Sequence, residues 1–316
     1  MRALVTGGAG FVGSHLVSRL LRDGHEVRVL DNFSTGARSN LSEMADHVDL
    51  VEGDIQSYER AHTAVQECEV VFHQAALPSV PRSIQDPLTS NSVNVIGTLN
   101  MLLASRDSGV RRVVYASSSS IYGADATLPK REDRAPLPIA PYAVAKLAAE
   151  GYCRSFSEVY GLETVALRYF NVFGPRQDPL SQYAAVIPKF VTALLGGARP
   201  VVFGDGEQSR DFTYIDNVVD ANLLAADANG VSGQTFNIAC GERVSLNRLL
   251  EELREILGTD LSADYLEPRP GDVPHSLADI SKAREMLGYE PAVGFGEGLR
   301  RTVDSLRDAQ VGALRP

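Results

Sequence analysis

Between an apolar run, Ala3-Leu4-Val5-Thr6, and a helical pattern that starts at Phe11, the chain reads Thr6-Gly7-Gly8-Ala9-Gly10-Phe11-Val12-Gly13. Few features restrict a fold more. A strand that passes through closely spaced glycines into a helix makes a tight turn, and its backbone N–H groups can approach a pyrophosphate at the helix N-terminus. The segment satisfies both Gly-x-Gly-x-x-Gly and Gly-x-x-Gly-x-x-Gly. Alone such a match is weak, because a glycine-rich turn serves many strand–helix junctions. Asp31 supplies the context: it ends a second strand, Val27–Asp31, where an acid accepts the adenosine ribose hydroxyls. An acid there repels a 2′-phosphate, so the dinucleotide expected is NAD rather than NADP.

The rest of the first half continues the alternation. His47 to Gly53, Val70–His73, Arg112–Ala116 and Thr164–Arg168 read as strands. Phe11 to about Asp23, Ser57–Glu67, Pro87–Ser108 and Tyr142–Tyr160 read as helices. Repeated β-α alternation predicts the α/β class, a doubly wound Rossmann parallel sheet. After Asn171, Pro175, Pro179, Pro188, Pro200 and the Gly204-Asp-Gly206 turn break the pattern. Val218–Asp227 and Thr235–Ile238 look like a return to it. The expectation is a nucleotide domain over 1–170 with returning segments at about 213–240. Residues 171–212 and 241–316 then form a smaller, discontinuous α/β substrate-binding domain.

Charge and cysteine usage narrow the function. Forty acidic against thirty basic residues give a formal net charge of −10, which argues against nucleic acid or an anionic membrane surface as the partner. Cys68, Cys153 and Cys240 are odd in number and widely spaced, so they read as free thiols in a reducing compartment. The six histidines show no metal-ligand spacing, and no metal is expected. The N-terminus enters an apolar strand without a basic leader, and no apolar run reaches membrane-spanning length. The expected location is cytoplasmic.

Tyr142 and Lys146 lie four residues apart in a helical run, so both side chains leave one face. A free tyrosine, with a pKa near ~10, is a poor base at neutral pH. An ammonium one turn away favours the phenolate, as a cationic nicotinamide ring would. Bringing the phenol to about pH 7 takes roughly 4 kcal/mol of differential stabilisation.

These motifs, in this order, resemble the extended short-chain dehydrogenase/reductase family, and within it the nucleotide-sugar 4-epimerases. The resemblance runs nearly end to end through Thr6–Gly13, Asp31-Asn-Phe-Ser-Thr-Gly36, Gly53-Asp54-Ile55, His73-Gln-Ala-Ala76, Asn94, Ser117–Gly123, Tyr142–Lys146, Arg168-Tyr-Phe-Asn171, Ser209-Arg-Asp211 and Pro270-Gly-Asp272. Over Ala76–Ser83 and His275–Lys282 it is similar to the branch acting on UDP-N-acetylhexosamines. The resemblance implies that Gly7, Gly10, Phe11 and Val12 wrap the pyrophosphate, while Asp31, Asn32 and Gly36 hold the adenosine ribose. It implies that Asp54 and Ile55 frame the adenine, and that Ala75, Ala76 and Asn94 line the rest of the dinucleotide. Lys146 would bond the nicotinamide ribose beside Tyr142, and Ser118 would be the catalytic hydroxyl. For the substrate it implies Asn171, Ala185 and Val186 at the diphosphate and nucleoside end, and Val202 and Phe203 beside the base. Arg210 and Arg269 would neutralise the diphosphate, Asp272 would hold a ribose, and Ser276 would face the sugar C2 substituent. One departure is Pro78, where many glucose-type epimerases carry a phosphate-reaching lysine. A homodimer through the helices Pro87–Ser108 and Tyr142–Tyr160 is also implied.

The same scaffold runs several reactions, so fold alone does not choose among them. Dehydratases of the family usually place an Asp-Glu pair at the positions of Ser119 and Ser120, and decarboxylases a glutamate at Ser120. Hydroxyls at both leave no carboxylate in that loop, and reversible C4 oxidation needs only tyrosine, serine and NAD. The resulting expectation is a UDP-hexose 4-epimerase. Serine at 276 leaves room for an N-acetyl group, which favours UDP-GlcNAc/UDP-GalNAc over UDP-glucose/UDP-galactose or UDP-glucuronate. Ser119 and Ser120 could also serve a sugar carboxylate. A non-catalytic NAD-binding sensor could dispense with Ser118, Tyr142 and Lys146, yet all three are present.

Overall fold

A computed structural model describes residues 1–123, 125–178, 185–268 and 274–313, the last five of these by backbone alone. In the first half, strands β1 (Arg2–Thr6), β2 (Glu26–Asp31), β3 (Val48–Glu52), β4 (Val70–His73), β5 (Arg112–Ser118) and β6 (Glu163–Tyr169) alternate with helices. The helices are α1 (Phe11–Arg22), α2 (Tyr58–Val65), α3 (Val80–Gln85), α4 (Pro87–Asn91), α5 (Gly97–Asp107) and α6 (Pro141–Tyr160). The second half carries β7 (Val172–Phe173), α7 (Val186–Leu195), β8 (Val201–Phe203), β9 (Ser209–Arg210), β10 (Thr213–Tyr214), α8 (Ile215–Asp227) and β11 (Gln234–Ile238). It ends with β12 (Val244–Ser245), α9 (Leu246–Leu257), β13 (Asp264–Leu266), α10 (Ser281–Leu287) and α11 (Phe295–Ala313).

Seven strands form one sheet in the order β11-β6-β5-β4-β1-β2-β3, and every neighbouring pair is parallel. This is the doubly wound sheet expected of a chain whose central strands read as continuous apolar runs. Leu4, Val71, Val113 and Tyr115 face α2, α5 and α6 in one core. Val5, Phe72, Val114 and Leu167 face α1 and α8 in the other, which continues into Phe173, Phe212, Leu249 and Leu299 of the second half. The sheet order reverses between β1 and β4, the place where α/β folds leave a crevice beyond the strand carboxyl ends.

The last strand of the sheet comes from far along the chain. β11 pairs with β6 from Gln234↔Val165 to Ile238↔Tyr169, and α8 covers the same edge. The remaining second-half strands make three two-stranded pairs, β10 with β7, β12 with β9 and β13 with β8. Asp211, wholly buried, ties the halves together by accepting backbone N–H groups of Cys240, Gly241 and Ala278 at 2.9–3.1 Å. No helix among the described residues is long and apolar enough to cross a membrane.

The stretch Pro87–Ser108, which reads as one helix in sequence, is three pieces. α4 passes into a π turn at Ser92–Ile96 before α5 begins. A π turn widens the spiral by one residue and often marks a functional stretch. Here it lets the Asn94 amide face backward to Leu77, whose N–H donates to Asn94 Oδ1 at 2.9 Å.

Candidate active site

A cavity of about 1070 Å³ runs along the carboxyl ends of the strands, from the glycine turn to Ser276. Sites for one drug-sized ligand occupy about 300–1,000 Å³, and this cavity reaches past that range. At its first end the turn is tight because glycine is required. Gly7 has φ +67°, and a Cβ on it would sit 2.8 Å from the Ala75 backbone; one on Gly13 would meet Gly7 O at 2.1 Å. Helix α1 starts at Gly10 with no side-chain cap. The Phe11, Val12 and Gly13 N–H groups therefore lack intrahelical partners, and all three residues line the cavity. That donor set fits a pyrophosphate.

Asp31 is fixed beside it, one carboxylate oxygen taking the Ala9 N–H and the other the Phe33 N–H, each at 2.8 Å. Asn32 donates to Asp54 at 2.8 Å, which joins the ends of β2 and β3 into one wall. Gly7, Gly10, Asp31, Asn32, Gly36, Asp54, Ile55, Ala75 and Ala76 all line the cavity. Asn94 does not: it is buried behind the loop, its amide committed to Leu77. His73, also buried, sits between two threonines. Thr98 donates its hydroxyl to Asn94 O, so it accepts from His73 Nε2, and Nδ1 is left to accept from Thr6. Burial, helped by Lys146, pulls the His73 pKa down to about 3, so the ring is neutral.

Tyr142 and Lys146 leave the same face of α6 into the middle of the cavity. Lys146 Nζ donates to Ala116 O at 2.8 Å and lies 5.9 Å from the centre of the Tyr142 ring. Burial lowers its pKa to about 8. Burial raises the Tyr142 pKa to about 12, with the Ser118 hydroxyl opposing the rise. The phenol thus moves away from the phenolate that its spacing to Lys146 suggests, because desolvation of the ring dominates. Ser118 in turn accepts the Ser120 hydroxyl at 2.9 Å. Ser120 and Ser118 thus form a hydrogen-bonded hydroxyl pair on the same cavity wall as Tyr142.

Toward the other end, Ser119, Ser120, Asn171, Ala185, Arg210 and Ser276 line the same cavity. Asn171 adopts φ +33° and donates to Asp211 O at 3.2 Å. Val186 and Val202 pack into the core instead of lining it. Phe203 borders an adjoining cavity of about 710 Å³, which shares His275 with the first. Arg269 and Asp272 lie outside the described residues. Lys130, Arg82 and Ser79 line the cavity without having been singled out in sequence. Behind Tyr142 lies a buried polar group, Ser117, Glu150, Arg168 and Asn237. Ser117 and Arg168 fall in the sequence motifs without an assigned role, and Glu150 lies four residues beyond Lys146 on the same face.

Residues 3–239 match the NAD dependent epimerase/dehydratase family. A "UDP-glucose 4-epimerase" from Mycolicibacterium smegmatis is 41% identical over 312 residues, covering 98% of this chain and 99% of that protein. The chain belongs to this family. Among solved members, a UDP-N-acetylglucosamine 4-epimerase from Methanobrevibacter ruminantium, in complex with UDP-N-acetylmuramic acid, matches at 42% identity and TM-score 0.93. It covers 98% of each chain. A UDP-glucuronic acid 4-epimerase from Bacillus cereus, with UDP-glucuronic acid and NAD, matches at 32% identity and TM-score 0.90 over 98% of this chain and 100% of that one. The family resemblance expected from the motifs holds, and epimerase/dehydratase membership makes the chain an NAD-dependent enzyme.

Proposed function

We propose that this enzyme inverts C4 of a UDP-hexose through a transient 4-keto sugar, and that its preferred pair is UDP-GlcNAc/UDP-GalNAc. The observation that carries the reaction type is the gathering of Ser118, Tyr142 and Lys146 on one cavity wall, with the Ser120 hydroxyl bonded to Ser118 and no carboxylate at 119 or 120. An elimination or decarboxylation route would use a further acid or base in that loop. Relatives named for glucose, N-acetylglucosamine and glucuronic acid are compatible with the 4-epimerase class and leave the sugar open. Preference for the N-acetylated sugar rests on Ser276, a small side chain on the cavity wall.

The glycine turn, the α1 N-terminus and Asp31 would hold NAD. When bound, NAD supplies a hydride acceptor that makes C4 oxidation reversible and a positive charge beside the tyrosine. Tyr142 takes the proton of the 4-hydroxyl and later returns it. Lowering its pKa from about 12 to about 7 takes about 7 kcal/mol, so Lys146 alone does not suffice. Ser118 holds the reacting oxygen, with the Ser120 hydroxyl bonded behind it. The keto sugar turns about its phosphate linkage between the two half-reactions, and Arg210 holds the diphosphate meanwhile.

In this reading, residues 1–170 with about 213–240 carry NAD, and 171–212 with 241–316 carry the UDP-sugar. A homodimer in the cytoplasm is part of the proposal. Leu88, Ile96, Val144 and Tyr152 form an exposed apolar face on α4, the π turn and α6, with Leu88 82% accessible. Two such faces from two copies would close into a four-helix contact.

The test is incubation with UDP-Glc, UDP-GlcNAc and UDP-GlcA, read by NMR at C4. Wild type should interconvert UDP-GlcNAc and UDP-GalNAc fastest, Ser276→Tyr should lose that pair selectively, and Tyr142→Phe should lose at least ~10²-fold in kcat. Near-wild-type turnover by Tyr142→Phe would sink the mechanism; equal loss on UDP-Glc in Ser276→Tyr would sink the choice of sugar.

A further inference from the structure

The last three residues of β5 face a single helical stripe. Lys146 donates to Ala116 O at 2.8 Å and Glu150 accepts the Ser117 hydroxyl, while Tyr142 and Ser118 line the cavity together. Positions 142, 146 and 150 recur every four residues, so the strand end is laced to one face of α6. Glu150 does more than accept the serine. Arg168 on β6 grips it with two bonds, Nε at 3.0 Å and Nη2 at 2.8 Å. Arg168 also donates to Tyr122 at 2.8 Å, and Tyr122 donates to Asn237 at 2.7 Å.

Glu150 and Arg168 are 7% and 4% accessible, and neither lines the cavity. A buried ion pair of this kind is weak evidence of stabilisation, since well-packed apolar residues often do as well. Its geometry serves another end. Glu150 is joined to Ser117, which lies between Ala116, held by Lys146, and Ser118, on the cavity wall with Tyr142.

We propose that Glu150 is a positioning residue for the reaction: through Ser117 and Arg168 it sets the register of the Ser118 strand end against the Tyr142 helix, and it keeps an anion one turn behind Lys146. The groups that face Lys146 make this anion singular among those described. Tyr142, Glu150 and Cys153 come from α6, Tyr115 from β5 with its ring 4.9 Å away, and His73 from β4. Arg168 stands behind Glu150 on β6. His73 is neutral, and burial pushes the Cys153 thiol and both phenols up, so none of these is an anion where Lys146 titrates. Removing Glu150's charge therefore favours the neutral amine of Lys146.

The kinetic half of the test rests on the epimerase reading; the titration half does not. The chain has only four lysines, Lys130, Lys146, Lys189 and Lys282, so the Lys146 Nζ can be followed in ¹⁵N-labelled full-length protein. In Glu150→Gln the Lys146 midpoint should fall by about half a unit or more, and the alkaline limb of kcat should fall with it. Ser117→Ala should lower kcat about threefold or more with KM unchanged, and Ser117→Thr should restore it. An unmoved Lys146 midpoint in folded Glu150→Gln, or full kcat in Ser117→Ala, overturns the proposal. Should Glu150→Gln not fold because Arg168 is left unpaired, Ser117→Ala, which keeps the ion pair, decides. A wild-type protein without turnover defeats the epimerase reading instead, and the lysine titration still answers for Glu150.

Discussion

Lys146 holds its proton against its surroundings. Burial brings its pKa from 10.5 to about 8, so the ammonium is present at neutral pH and lost just above it. The kcat of the enzyme should accordingly decline through an alkaline limb centred near pH ~8, measured as a pH–rate profile at saturating substrate. Stability runs the other way for this group. Its folded pKa lies below its unfolded value, so the unfolded chain binds more protons between about pH 8 and pH 10. Across that window the Lys146 contribution to stability rises with pH, and urea midpoints compared with Lys146→Met isolate it. The Tyr142–Lys146 pair was legible in sequence because four-residue spacing is a local, periodic signal. The bonds that join Glu150 to Ser117 and Arg168 were not, because they span 33 and 18 residues of chain and no periodicity reports a long-range partner.

Helix α6 begins at Ala140 without a side-chain cap of its own. The cap comes from another element: Ser83 of α3, buried, accepts the Tyr142 N–H at 3.1 Å and donates to Val80 O at 2.7 Å. The residue proposed as the base thus has its backbone tied to the loop-helix wall that lines the cavity. Ser83→Ala should cost about 1 kcal/mol in urea unfolding and lower kcat more than it raises KM. An unaltered kcat would mean that the cap serves stability alone. Helix α3 was not distinguishable in sequence, since its six residues fall below the window over which helical periodicity is read. Asp86-Pro87 then restarts the chain as α4, with Asp86 accepting the Thr89 N–H at 3.0 Å. The strands of the sheet were legible to within two residues at either end; the central ones are bounded apolar runs, while β3, Val-Asp-Leu-Val-Glu at the edge, is largely exposed. In the second half, strands of two or three residues carry no such pattern, and the sequence there shows only its breaks.

At the scale of the molecule, the sheet is assembled from distant stretches, and one apolar face lies outside it. Replacing Val144, 50% accessible on α6, by Asp should convert the proposed dimer to monomer in sedimentation velocity without shifting far-UV circular dichroism. A monomeric wild type removes the four-helix contact from the proposal. The placement of β11 has a different consequence, one of timing. A growing chain completes β6 long before Gln234–Ile238 leaves the ribosome, and until then β6 is a bare parallel edge bordered by an apolar floor that α8 has yet to cover. An early translation stop anywhere between the two leaves that edge permanently open to pairing with another chain. Synthesis of this protein therefore has a stretch, between the sixth strand and the eleventh, in which protection of the nascent polypeptide rests on the cell rather than on the fold.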